Sequence, residues 1–322
     1  MPDLVTHYYF ADRVLEELPK DIRKSISDKN LYYFASAGPD PFFFYKFYKF
    51  KENAKISQIG HYMHQNKVYE FFEKLTQLTK NSDNNKPLLF SYLTGFLTHH
   101  ILDSTVHPYV FYKTGKFVKE DASTHIYRGL HTRLERAIDS YIIREYFRQN
   151  PNKFNIVCEI LNLQKIPQEL KNDFDELYRV IDLQDGYKIV NDTVKWQRKF
   201  YHFIYDPYGI KNFFFKLLDN KKMSVSLRYI SYYNKEIFDK DIFNLEKKPW
   251  TNPSDNTIVS TKSVLDLFND ALKVANDKIT KLYNYIFLNE ECNLEEVLPH
   301  TSYLNGLPLN QSEMKYFDNI FA

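Results

Sequence analysis

The sequence predicts an all-α protein, and three observations carry that prediction. Apolar residues recur at helical spacing along most of the chain, while strand-like alternation is weak throughout. Glycine is scarce, 8 residues in 322, which argues against turn-dense β architecture and against glycine-rich phosphate loops. Two sets of histidines and carboxylates repeat at i, i+4, i+8 inside apolar stretches of helical length, and on a helix that spacing gathers side chains in one stripe.

Helices are expected over roughly residues 5–17, 54–79, 87–106, 121–149, 167–181, 190–219 and 260–288. Pro2 and Pro19 bracket the first. Ser36-Ala-Gly-Pro-Asp40-Pro is a turn, because two prolines and a glycine preclude regular structure there. Asn81–Lys86 (NSDNNK) is a polar loop ahead of the third helix. Pro108 comes directly after His107 and so sets His107 at or near the end of that helix. Gln149-Asn-Pro151 ends the fourth helix, and histidine use drops sharply after it. The expected organisation is therefore a histidine-bearing catalytic portion, 1–150, and a C-terminal helical portion, 151–322, packed as part of the same unit. Lys247–Asn256 (KKPWTNPSDN) is an irregular connector before the last long helix, and no internal repeat is visible.

Composition removes several function classes. The net charge is +2 with basic and acidic residues interspersed, so a sequence-independent nucleic-acid binder is not expected. Cys158 and Cys292 cannot form a disulfide framework and are expected as buried thiols. The first residues lack a basic stretch ahead of an apolar one, so no signal peptide is expected. The longest nearly apolar stretch, Pro87 to Thr98, is too short to span a bilayer. The expected location is the cytoplasm.

Eight of the ten histidines lie between positions 7 and 131. His99, Asp103 and His107 form the first stripe, and His131, Glu135 and Asp139 the second. Each four-residue step along a helix rotates a side chain by only about 40° and advances it by about 6 Å. A lone His-x-x-x-Asp pair is common by chance, and an i,i+4 His–Glu pair is usually a surface contact. Two stripes inside apolar helices are a different matter, because buried carboxylates there need a cation. The mix of nitrogen and oxygen donors suits zinc.

Six motifs occur in order along the chain: His7-Tyr-Tyr-Phe-Ala, Gly38-Pro-Asp40, His61-x-x-His64, His99-x3-Asp103, His107-Pro108 and His131-x3-Glu135. Together with Trp250-x-Asn252-Pro253 before a long helix, this resembles the zinc-dependent phospholipase C family, which shares its fold with zinc-dependent single-strand nucleases. The resemblance implies a multi-helix bundle with a metal cluster on core helix faces, and hydrolysis of a phospholipid or other small organic phosphodiester. It implies two to three zinc ions. The first is held by Asp40, His64, His99 and Asp103; the second by His107, His131 and Glu135. The third uses His7, with Asp103 bridging, and the amino-terminal amine of the mature chain. Asp40 is also implied as the catalytic group that orients the attacking water.

Two departures stand out. Secreted members space the aspartate and the next histidine more widely than Asp103-x3-His107, and they expose a tryptophan amine after cleavage, whereas this chain begins Met1-Pro2. Asp3 is the competing ligand for the amine. His61, His125 and Asp139 are expected around the ligands rather than among them, His61 being the alternative to His64, His125 a phosphate contact and Asp139 an orienting partner. His100 points about 100° away from His99 and is expected to pack in the core. His202 and His300 lie outside the cluster. The run Phe42–Phe50 (FFFYKFYKF) admits core packing with its lysines reaching solvent, or a lip in transient contact with a membrane surface. Two further readings stay open: a single-strand nuclease, which calls for a basic, aromatic-lined groove, and a non-catalytic protein held together by its metals.

Overall fold

Helix α6 (Lys86–Thr114) organises the protein: from Leu89 to Val110 nearly every residue is buried, on all sides of the helix. A helix apolar all round can lie only in the middle of a core. In a computed structural model that describes residues 3–220, 226–232, 240–311 and 313–321, the other helices wrap this one. They are α1 (Leu4–Glu17), α2 (Lys20–Ser25), α3 (Lys29–Ala35), α4 (Phe50–Met63), α5 (Val68–Asn81), α7 (Leu130–Glu145), α8 (Ile156–Glu159), α9 (Lys171–Tyr178), α10 (Gly186–Ile204), α11 (Ile210–Leu218), α12 (Val264–Phe287) and α13 (Leu294–Val297). The fold is all-α. Among the described residues the sole sheet is a two-residue antiparallel pair, β1 (Trp250–Thr251) with β2 (Val259–Ser260), Trp250 facing Ser260. None of the described helices is long and apolar enough to cross a membrane.

Helices α1, α3, α5, α7 and α12 pack directly on α6. Gly95 makes the closest of these approaches possible, since a Cβ there would lie 2.2 Å from the Tyr32 carbonyl of α3. The portion after residue 150 is part of this packing: α12 lies against α6, α1 and α5, and α10 lies against the 3₁₀ turn Asp40–Phe44.

The helix that contains Pro108 does not end there. Proline removes one backbone donor, yet Val106, Tyr109 and Val110 are buried, and that packing carries the helix on to Thr114. The helix expected over 54–79 is two, separated at Lys67, whose φ of 55° is left-handed. The expected 121–149 helix starts only at Leu130, behind Gly129 at φ 78° and a 3₁₀ segment, Ala122–Tyr127. The expected 190–219 helix breaks at Asp206-Pro207-Tyr208-Gly209. The short helices α2 and α3 were not legible from periodicity. Cys158 is exposed and Cys292 half-buried, so neither is the buried thiol expected from composition.

Candidate metal centre

Four elements bring side chains to Asp103, which is fully buried on α6. His99, one turn before it, has Nε2 3.2 Å from Asp103 Oδ2, and His107, one turn after, has Nδ1 3.7 Å from the same oxygen. From α1, His7 Nε2 lies 3.1 Å from Asp103 Oδ1. His64, at the end of α4, lies 3.9 Å from Oδ2 and 3.3 Å from Oδ1 of Asp40. Asp40 begins the 3₁₀ turn after Gly38-Pro39. Gly38 is required here: at φ 54° its missing Cβ would lie 2.2–2.7 Å from three atoms of the His99 ring. The His7 and His99 rings stack at 4.1 Å.

A second group adjoins the first. His131 Nε2 lies 2.8 Å from Glu135 Oε1 on α7, and His107 Nε2 lies 3.7 Å from the same oxygen. Three sets therefore have donor atoms all within 4.8 Å of one another: His7, Asp40 and His99; His64, His99 and Asp103; His107, His131 and Glu135.

These residues fit a metal. Both Asp103 oxygens, Asp40 Oδ1, both His7 nitrogens, His99 Nε2 and His107 Nε2 are buried without a hydrogen-bond partner. Buried polar atoms are rarely left so. They lie close to each other yet are not aligned as donor and acceptor, which is the pattern of atoms aimed at a common point. The other ring nitrogens are fixed from behind. His64 Nδ1–H donates to the Gly60 carbonyl at 2.6 Å, His99 Nδ1–H to Ser36 at 3.1 Å and His107 Nδ1–H to Tyr303 at 2.7 Å. This fixes the tautomer and leaves Nε2 as an electron-pair donor, as in histidine metal sites.

The electrostatics agree. Burial lowers His7 to about 4, aided by the neighbouring His99, and burial lowers His64 as well, so both are neutral at pH 7. Burial pushes Asp40 well above the usual carboxylate range, with Asp103 adding to the effect. Burial would raise Asp103 too, but His99 and His7 hold it well below. Two buried carboxylates this close call for more positive charge than neutral imidazoles supply.

Of the residues expected around the ligands, Asp139 is built into the site's support. Its carboxylate accepts from the backbone N–H groups of Val5 and Thr6 (3.1 and 2.9 Å), from the Thr6 hydroxyl (2.5 Å) and from Tyr232 Oη (2.6 Å). It thereby clamps the first turn of α1, which carries His7. His61 lies on the outer face of α4 with its ring 4.7 Å from Phe43, and belongs to none of the three donor sets. His125 is exposed and meets the Lys119 carbonyl at 3.0 Å, so the structure does not bring it to the cluster. Asp3 is engaged elsewhere: it pairs with Arg136 at 2.7 Å and accepts from Tyr201 Oη at 2.8 Å. The proposed amine of Met1 or Pro2 lies outside the described residues. His100 is buried and bonds to the Thr301 carbonyl at 2.9 Å, while His202 and His300 are exposed. The aromatic run divides: Phe42 is core, Phe43 stacks on His64 at 5.7 Å, Phe44 and Phe47 pack on Phe200, and Tyr48 is exposed.

Sequence reasoning missed Tyr303. Its carbonyl orients His107, and its ring lies 5.1 Å from His64, 5.7 Å from His99 and 4.5 Å from His100. A backbone acceptor leaves no mark in a residue pattern.

The architecture is thus a helical bundle built around a buried histidine–carboxylate centre. The chain belongs to the zinc dependent phospholipase C family, whose model matches residues 6–183 and so spans all eight donor residues. Comparison with curated proteins and with solved structures gave no match.

Proposed function

We propose that this chain hydrolyses a phosphodiester, of a phospholipid or another small organic phosphate, at a centre of two to three zinc ions. Asp40, His64, His99 and Asp103 hold one ion and His107, His131 and Glu135 a second. His7 and the bridging Asp103 serve a third. The observation that carries this reading is the Asp103 carboxylate: both oxygens are buried among imidazole nitrogens at 3.1 to 3.9 Å, and neither has a hydrogen bond.

Zinc at such a centre supplies Lewis acidity, polarising phosphoryl oxygens and making water a source of hydroxide near pH 7. The chain's own groups do the rest. The histidines keep their electron pairs inward because Gly60, Ser36 and Tyr303 take the protons on the other side. Asp40, buried beside the cluster, orients the attacking water. The histidines must stay neutral to bind metal, and burial keeps His7 and His64 so to below the ordinary imidazole range, so acid weakens these ligands only as the pH falls toward about 4. The two portions, 1–150 and 151–322, act as one unit, since Tyr303 from the second orients His107 in the first.

The test is metal analysis of gently purified protein alongside hydrolysis of bis-p-nitrophenyl phosphate. Two to three zinc equivalents per chain are expected, with hydrolysis lost on chelation and regained with zinc. A folded chain that takes up no zinc when zinc is supplied overturns the reading.

A further inference from the structure

Helix α11 is turned the wrong way for a helix that folds by burying its apolar face. Its apolar residues, Ile210, Phe213, Phe214, Leu217 and Leu218, fall at i, i+3, i+4, i+7 and i+8, which is one face. Each is more than half exposed, and only Asn212 is buried. Tyr208, just before the helix, is 80% exposed. Polar tethers help to hold the helix to the protein: the Asn212 N–H donates to Asp206 Oδ2 at 2.7 Å, and Lys211 Nζ donates to the Phe203 carbonyl at 2.7 Å. An apolar stripe left in water on a rigid support marks a surface that meets something else.

The surroundings say what. Residues 192–219 contain five basic side chains, Lys195, Arg198, Lys199, Lys211 and Lys216, and three acids: Asp206, which is buried and engaged by Asn212, Asp219, which is paired with Arg128, and Asp192, which lines a groove with Lys195, Arg198 and Lys199. The apolar surface continues from Phe215 to Phe203 (5.8 Å), then to Phe47 (5.5 Å), in the segment after Asp40. An exposed apolar helix face flanked along its two edges by Lys211 and Lys216 matches the chemistry of an anionic lipid surface, with acyl chains for the stripe and acidic headgroups for the cations.

We infer that α11, with Tyr208 and Phe203, is the element by which this protein lies on an anionic lipid surface. The helix falls outside the residues that match the family. The inference draws its purpose from the phospholipid reading above, but its test reads capture by vesicles rather than hydrolysis, so the two can fail separately.

The zinc-loaded full-length protein is sedimented with vesicles of phosphatidylcholine alone or mixed with phosphatidylglycerol. The mixed vesicles are expected to capture it more tightly, and raised salt to weaken the capture. The variant Phe213→Ser/Leu217→Ser changes only exposed side chains and is expected to bind mixed vesicles at least about tenfold more weakly, and Lys216→Gln about fivefold more weakly. Hydrolysis of the soluble bis-p-nitrophenyl phosphate should be unchanged in both. Absence of vesicle binding by the unmodified protein overturns the inference, and so does equal binding by the double variant. A dimer in sedimentation velocity that the double variant dissociates also overturns it, since the occupant is then a second copy of the chain.

Discussion

The stripes on α6 and α7 have the same spacing and different fates. On α6, His99, Asp103 and His107 all reach the centre. On α7, His131 and Glu135 reach it, while Asp139 turns to the first turn of α1. Three residues at i, i+4, i+8 span about 12 Å of helix and drift by about 80°, so they cannot all meet one ion. On α6 the centre lies level with the middle residue, and its neighbours lean in from either side. On α7 the centre lies level with the first turn, and the third residue overshoots to the neighbouring helix. Spacing thus identifies a face; the height of the site along the helix decides which residues on that face reach it. Asp139 still serves the centre, because the turn it clamps positions His7.

Substitutions sharpen this contrast. Asp103→Asn should reduce hydrolysis by on the order of 10³-fold or more and release more than one zinc, because the remaining amide cannot bridge. Retention of full zinc by this variant would move the centre away from the α6 stripe. Asp139→Asn should behave differently. It replaces a carboxylate that accepts four hydrogen bonds from buried donors, and a cost of about 3 kcal/mol in denaturant unfolding is expected, with zinc largely retained. Zinc loss as complete as that of Asp103→Asn would place Asp139 among the ligands and erase the distinction between the two stripes.

Five of the eight residues in the three donor sets, His99, Asp103, His107, His131 and Glu135, stood out in the sequence because metal chemistry restricts residue types and helical spacing fixes which of them share a face, whereas His7, Asp40 and His64 came only through the family resemblance. Helices α1 and α12 were legible from their apolar period, α1 also from the prolines at positions 2 and 19; the structure adds a cap at Asp3 for the one and a capping box of Ser263 and Asp266 for the other. Three kinds of feature were not legible. Pro108 reads locally as a stop, and only the burial of Tyr109 and Val110 beyond it overrides that signal. Lys67 breaks a continuous apolar period through a left-handed backbone angle that its side chain does not announce. The acceptors behind His64, His99 and His107 are carbonyls of Gly60, Ser36 and Tyr303, and every residue has a carbonyl. Sequence patterns picked out atoms that converge at the centre and were silent on those that hold them in place.

His100 provides the finest test, because it shares α6 with the donors yet faces away from them. Its Nε2–H donates to the Thr301 carbonyl, and burial lowers it to about 3 from an ordinary value of 6.5. The folded form therefore keeps this ring neutral while the unfolded chain takes up a proton. The stability that depends on His100 is whole above about pH 6.5 and drains as the pH falls toward 3, by at most about 1.4 kcal/mol per pH unit. His100→Gln retains a donor toward Thr301 without the titration. The variant should be somewhat less stable than the unmodified protein at pH 7, through imperfect packing against Phe72 and Tyr303. Between pH 7 and pH 5 it should lose about 2 kcal/mol less, read from denaturant midpoints in zinc-saturated buffer. Its zinc content at pH 7 should be unchanged. Parallel pH profiles for the two proteins would mean that His100 does not drive the acid limb; loss of zinc from His100→Gln would instead mean that the donor face of α6 is wider than His99, Asp103 and His107.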